Sequence, residues 1–106
     1  MAWIYLIGSV DTPDRYKIGL TKAKDINERI KKLQTGNDEE LFLVKSFETD
    51  TPYKLESMLH FRYSQKQILN EWYELSRDDV NDFLNVCEKL QNTIKALADN
   101  PFFNPT

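Results

Sequence analysis

Two phenols, a lysine, a guanidinium, a carboxylate and an imidazole recur along this chain at spacings that suit one polar site. Tyr5 belongs to the strand-like run Trp3-Ile4-Tyr5-Leu6-Ile7, and Tyr16 and Lys17 belong to Arg15-Tyr16-Lys17-Ile18-Gly19-Leu20-Thr21, which follows a turn-rich segment. A hairpin made of these two runs carries aromatic hydroxyls and cations together, a combination better matched to a phosphate than to an apolar core. Arg29 follows on an expected helix, and Glu56 and His60 follow one turn apart on a second.

Hydrolysis of a phosphodiester requires a deprotonated water in line with the leaving oxygen, positive charge near the non-bridging oxygens and a proton for the departing alkoxide. Glu56 is the candidate ligand for one Mg²⁺ or Mn²⁺ ion, because a hard cation accepts a carboxylate and fills its other positions with water and phosphate oxygen. Arg29 offers a planar fork to the phosphate that lysine does not reproduce; alternatively it pairs with Asp25 one turn earlier. Tyr5 and Tyr16 are candidates to position or activate water. A phenol titrates near 10, so a base role requires Lys17 or the metal to favour the phenolate. Lys17 is also a candidate for direct phosphate contact. His60 either joins the metal or donates a proton, or it is a hydrogen-bonded structural residue. Trp72 is either core or a base-stacking platform.

The elements that must position these groups follow from patterning. Gly8 to Asp14 is turn chemistry between the two hairpin strands. Asp25, with Glu28 in the capping-box position, begins a helix over roughly 25–35 whose apolar residues are Ile26, Ile30 and Leu33. Leu41 to Phe47 is a third strand, apolar enough for the middle of a sheet. Thr51 as cap and Pro52 as first residue start a helix in which Leu55, Leu59, Phe61 or Arg62, and Tyr63 carry the face to about Gln67. Glu71 to Leu75 is a short closing strand. Ser76 and Asp79 form a second capping box, opening a helix with Val80, Phe83, Leu84, Cys87, Leu90, Ile94 and Leu97 on its apolar face. The order β-β-α-β-α-β-α predicts a small α+β domain with a mainly antiparallel sheet flanked by helices. Residues 76–106, the last helix and tail, are expected to pack on the domain formed by 3–75.

Composition narrows the classes. With 106 residues, 41% of them hydrophobic, the chain suits one folded domain and not two. Its one cysteine excludes an intrachain disulfide and a cysteine metal cluster, and Cys87 sits at helical spacing from Leu84 and Leu90 as a buried thiol would. There is no signal-peptide pattern and no apolar run of membrane length, so a cytoplasmic protein without a membrane partner is expected. A net charge of -3 argues against a general nucleic-acid coat. Its distribution is uneven: residues 15–35 hold a local surplus of five positive charges, whereas 36–50 are acidic. Within the basic stretch Lys22, Lys24, Lys31 and Lys32 are candidate nucleic-acid contacts, and the alternative for such a run is a solvated helix face.

Five pieces in this order, Trp3-Ile4-Tyr5, Tyr16 to Thr21, Arg29 to Gly36, Leu55 to His60 and Glu71-Trp72-Tyr73, resemble the GIY-YIG endonuclease superfamily. The nearest form is the branch named for a bacteriophage T5 open reading frame, in which a lysine before Ile-Gly is usual. The resemblance covers residues 3 to 75. Trp3 stands where the superfamily has glycine, Lys17 stands where it has its second tyrosine, and no histidine follows Arg29 closely. What the resemblance implies is a single-metal phosphodiesterase: tyrosines and arginine around the phosphate, the helix glutamate on the ion, and DNA cut one strand at a time to leave 3′-hydroxyl and 5′-phosphate ends. A phage or mobile element is the implied setting, and target choice would depend on a protein partner, a homodimer or a structural feature of the DNA. The competing expectation is a module that keeps the fold without cleavage and binds nucleic acid or a host protein, and the Pro101-Phe102-Phe103 tail is a further candidate docking segment.

Overall fold

The computed structural model describes residues 1–98, so the Pro101-Phe102-Phe103 tail lies outside the described residues. The aromatic and β-branched start of the chain forms strand β1 (Ala2–Ser9), and β2 (Arg15–Thr21) returns antiparallel to it with Tyr5 opposite Gly19 and Ile7 opposite Lys17. Asp14 turns the chain at a φ of 71°, a left-handed conformation that aspartate tolerates. Helix α1 (Ile26–Thr35) is capped by Asp25, whose carboxylate accepts from the Asn27 N–H at 3.0 Å. The cap therefore acts on Asn27 and not on Glu28.

Strand β3 (Leu41–Thr49) pairs with β1 and departs from expectation in being an edge strand. Its long apolar run has another cause. A bulge between the partners of Leu6 and Ile7 shifts the register, so Leu41 and Leu43 face one side of the sheet while Val44 and Phe47 face the other. One strand thus feeds both cores.

Helix α2 (Pro52–Arg62) ends before the expected Gln67. A 3₁₀ turn (Ser64–Lys66) leads instead into an additional strand, β4 (Gln67–Leu69), which forms a hairpin with β5 (Trp72–Glu74) around Asn70 at a φ of 53°. All three residues of β4 are exposed, so no alternation of apolar and polar residues marks it. The five-stranded antiparallel sheet has the order β3-β1-β2-β5-β4.

Helix α3 (Arg77–Ala98) opens on the expected capping box, the Ser76 N–H donating to Asp79 at 3.0 Å and the Asp79 N–H to Ser76 Oγ at 3.1 Å. Its buried face is Phe83, Val86, Cys87, Gln91 and Ile94, and Leu84 and Leu97 are partly exposed at 37% and 40%. Together with Leu55 and Leu59 of α2 these residues cover Ile4, Leu6 and Ile18 on one face of the sheet. Helix α1 covers the other face, where Ile26, Ile30 and Leu33 pack on Tyr5, Ile7 and Leu41. The result is an α+β architecture with helices on both faces. Cys87 is buried in the first core, and burial pushes its thiol up to about 12, which keeps it protonated and unreactive. No described helix is long and apolar enough to cross a membrane.

Gln91 ties α3 to the β3–α2 junction. Its side-chain oxygen accepts from the Thr49 hydroxyl and its amide donates to Thr51 Oγ1 at 2.9 Å. Thr51 therefore spends its hydroxyl on Gln91 and makes no side-chain cap on α2, contrary to expectation. Replacing Gln91 by alanine is expected to lower the unfolding free energy by about 1–3 kcal/mol, read by urea melts, because the buried Thr49 hydroxyl loses its acceptor.

Candidate active site

Strand β2 is paired with β5 only from Arg15 to Lys17, after which the Ile18 N–H donates to the Glu71 carbonyl at 3.0 Å and the two chains diverge. The edge of β2 beyond that point would leave backbone groups unpaired, and α2 supplies the partners. His60 Nε2 meets the Ile18 carbonyl at 3.1 Å, and the Glu56 carboxylate accepts from the Leu20 N–H. A carbonyl only accepts, so Nε2 carries a proton, and in the neutral form of the ring the lone pair lies on Nδ1. The i, i+4 spacing of Glu56 and His60 matches alternate positions of the strand, which is why both side chains reach it.

Glu71, in the β4–β5 turn, completes a cluster: ligating atoms of Glu56, His60 and Glu71 all lie within 4.8 Å of one another. Burial pushes the Glu56 carboxyl up from the ordinary glutamate range; His60 opposes the shift, the Glu71 charge adds to it, and the Leu20 hydrogen bond opposes it. The His60 ring stacks on Tyr73 at 5.7 Å between centroids. Glu71 also pairs with Lys17 at 3.3 Å, and the Lys17 ammonium lies 5.7 Å from the Trp72 ring centroid, its cross-strand neighbour. Among the described residues Arg29 forms no ion pair with Asp25.

Tyr5 lies beneath this cluster with 1% of its surface exposed. Its ring crosses directly over Gly19: a β-carbon at that position would stand 2.4 Å from the phenolic oxygen. Gly19 is thus required for close approach, and its φ is ordinary. Arg29 of α1 hydrogen-bonds the Tyr5 hydroxyl, while its own Nε is buried without a protein partner. Burial raises the Tyr5 pKa, Arg29 works against the shift, and the Glu71 and Glu56 charges add to it. Burial therefore favours the neutral phenol of Tyr5, which can orient and donate.

The expected residues separate into those the fold assembles and those it does not. Tyr5, Arg29, Glu56, His60 and Lys17 gather around the open edge of β2. Tyr16 does not join Tyr5: strand alternation turns it to the opposite face, where it packs against the apolar core opposite Tyr73. Lys22, Lys24, Lys31 and Lys32 are all exposed, with Lys22 held 4.8 Å over the Tyr53 ring. Glu71 was not among the expected site residues. The signal available for it was an acid placed just after the Asn70 turn and before Trp72-Tyr73, opposite the lysine-bearing strand.

No curated protein and no solved structure matches the chain. A family model described as the T5orf172 domain matches residues 2–88, reaching beyond the expected boundary at residue 75 into α3, whose side chains close the core beneath α2. The match spans most of the chain, and the protein belongs to the T5orf172 domain family.

Proposed function

We propose that this domain is a divalent-metal-dependent endonuclease of the GIY-YIG type that hydrolyses DNA phosphodiester bonds. The observation that carries the reading is the convergence, at one open strand edge, of a half-buried carboxylate (Glu56), a tethered imidazole (His60), an ammonium (Lys17) and an arginine-bound phenol (Tyr5). Membership of the T5orf172 family supports a nucleic-acid role. The donor set suits a hard cation, with Glu56 the carboxylate that would hold Mg²⁺ or Mn²⁺. When bound, such an ion supplies charge for the phosphate oxygens and acidifies a water.

The remaining chemistry belongs to the chain. Arg29 is held by Tyr5 and keeps donors for a non-bridging phosphate oxygen, a planar contact that a point charge does not replace. Lys17, seated by Trp72 and Glu71, presents its ammonium to the same phosphate. Tyr5 keeps its proton and orients Arg29 or water by hydrogen bonding. Exposed Lys22, Lys24, Lys31 and Lys32 add sequence-independent attraction to neighbouring phosphates. Supercoiled plasmid incubated with Mg²⁺ or Mn²⁺ should become nicked, and not in EDTA. Arg29→Lys is expected to lower nicking by about a hundredfold, the scale of losing one preorganised donor, with DNA binding by gel shift reduced far less.

The acid limb of the pH profile provides a further check. Metal binding needs Glu56 ionised, and its raised pKa moves that requirement above the ordinary glutamate range. Activity at fixed metal is expected to climb through that raised value. Stability runs the other way, because the folded carboxyl keeps its proton to higher pH than the unfolded one. The Glu56 contribution therefore declines as pH rises from the ordinary glutamate range through the raised value. The competing reading, a silent binding module, draws on the exposed Tyr53 and Phe61 of α2. Gel shift without nicking in any metal would favour it.

A further inference from the structure

Glu71 pairs with Lys17 and also stands beside Glu56 and His60, a position more specific than an ion pair requires. We propose that Glu71 and His60 join Glu56 as direct ligands of a single divalent cation, and that this mixed oxygen and nitrogen set takes manganese in preference to magnesium. The inference rests on the hydrolytic reading of the same site and adds to it the ligand set and the metal selected.

The three donors come from separate elements, two from one face of α2 and one from the β4–β5 turn, and already lie within 4.8 Å of one another. A cation about 2.1 Å from each donor brings even opposite ligands to about 4.2 Å, a contraction that carboxylate rotation supplies. Two of the donors are braced from behind by main chain. The Ile18 carbonyl fixes the His60 ring through Nε2 and the Leu20 N–H fixes Glu56, the arrangement by which outer contacts aim ligating groups. Stacking on Tyr73 holds the imidazole against rotation. Magnesium favours oxygen donors and keeps most of its water, so a nitrogen ligand contributes little to it; manganese accepts imidazole and carboxylate together.

His60 is the chain's one histidine, which makes a direct test unambiguous in protein freed of any purification tag. With one equivalent of Mn²⁺ bound, pulsed electron paramagnetic resonance should show nitrogen modulation from a coordinated imidazole. The modulation should vanish in His60→Gln, and Glu71→Gln should weaken Mn²⁺ binding by about tenfold or more in calorimetry, with Mg²⁺ binding weaker than Mn²⁺ in the wild type. Absence of nitrogen modulation in the wild type, a measurement that needs no variant to fold, overturns the proposal. Unchanged Mn²⁺ affinity in a folded Glu71→Gln protein overturns it as well. The two readings fail separately: nicking without nitrogen coupling removes only this ligand set, whereas nitrogen-coupled Mn²⁺ in a protein that never nicks DNA removes only the hydrolytic function.

Discussion

Replacing Gly19 by alanine is expected to cost about 1–3 kcal/mol of stability and to reduce DNA nicking by about a hundredfold, two effects with one cause. The added methyl would lie 2.4 Å from the Tyr5 oxygen and 2.5 Å from the ring carbon that bears it. Neither strand yields easily, since Tyr5 and Gly19 are directly opposed in the β1–β2 ladder and Tyr5 is packed from the other side by α1. The phenol must therefore move, and it takes with it the hydrogen bond that places Arg29. Thermal melts and nicking rates on the same preparation measure both parts. A Gly19→Ala protein with wild-type nicking would show that the Tyr5–Arg29 contact does not position the reaction.

Conversion of Glu56 to glutamine is expected to remove nicking by at least about a hundredfold while leaving the fold intact. Glutamine keeps the volume and can still accept from the Leu20 N–H, so the edge of β2 remains satisfied. What disappears is the negative charge. Because that carboxylate is partly desolvated and near Glu71, its neutral replacement relieves a cost in the native state. The variant should melt at or slightly above the wild-type temperature, a gain of stability accompanying the loss of activity, as occurs when a strained functional group is removed. A lowered melting temperature would mean instead that the charge holds the fold.

Much of the frame was legible in the residues themselves because it rests on local rules. The hairpin followed from β-branched runs around a turn, α1 from Asp25 and its apolar spacing, and α3 from a capping box that the coordinates reproduce bond for bond. Glu56 and His60 were recognisable as one helical face. The features that escaped depend on contacts distant in sequence. Strand β3 looked central because a bulge lets it serve two cores, and β4 carries no pattern because its residues are exposed. Gln91, a polar residue within an apolar face, is explained only by Thr49 and Thr51 far earlier in the chain.

The pairing of Tyr16 with Tyr5 failed for a different reason. Adjacent residues on a strand point to opposite sides, so Tyr16 and Lys17 are not both available to one site, and Lys17 shares its face with Gly19 opposite Tyr5. Lys17, not Tyr16, therefore shares the sheet face of Tyr5. Glu71 was missed because a turn residue gains meaning only when the hairpin folds back beside β2. Its pairing with Lys17 links the closing strand to the first hairpin.

The measurement that bears most directly on the central claim is conversion of supercoiled plasmid to nicked circle by wild-type and Glu56→Gln proteins, purified side by side and assayed with Mg²⁺, with Mn²⁺ and with EDTA. Metal-dependent nicking is expected of the wild type and none above background of the variant, with circular dichroism the same for both. Equal nicking by the two proteins, or none by a folded wild type in either metal, would contradict that claim.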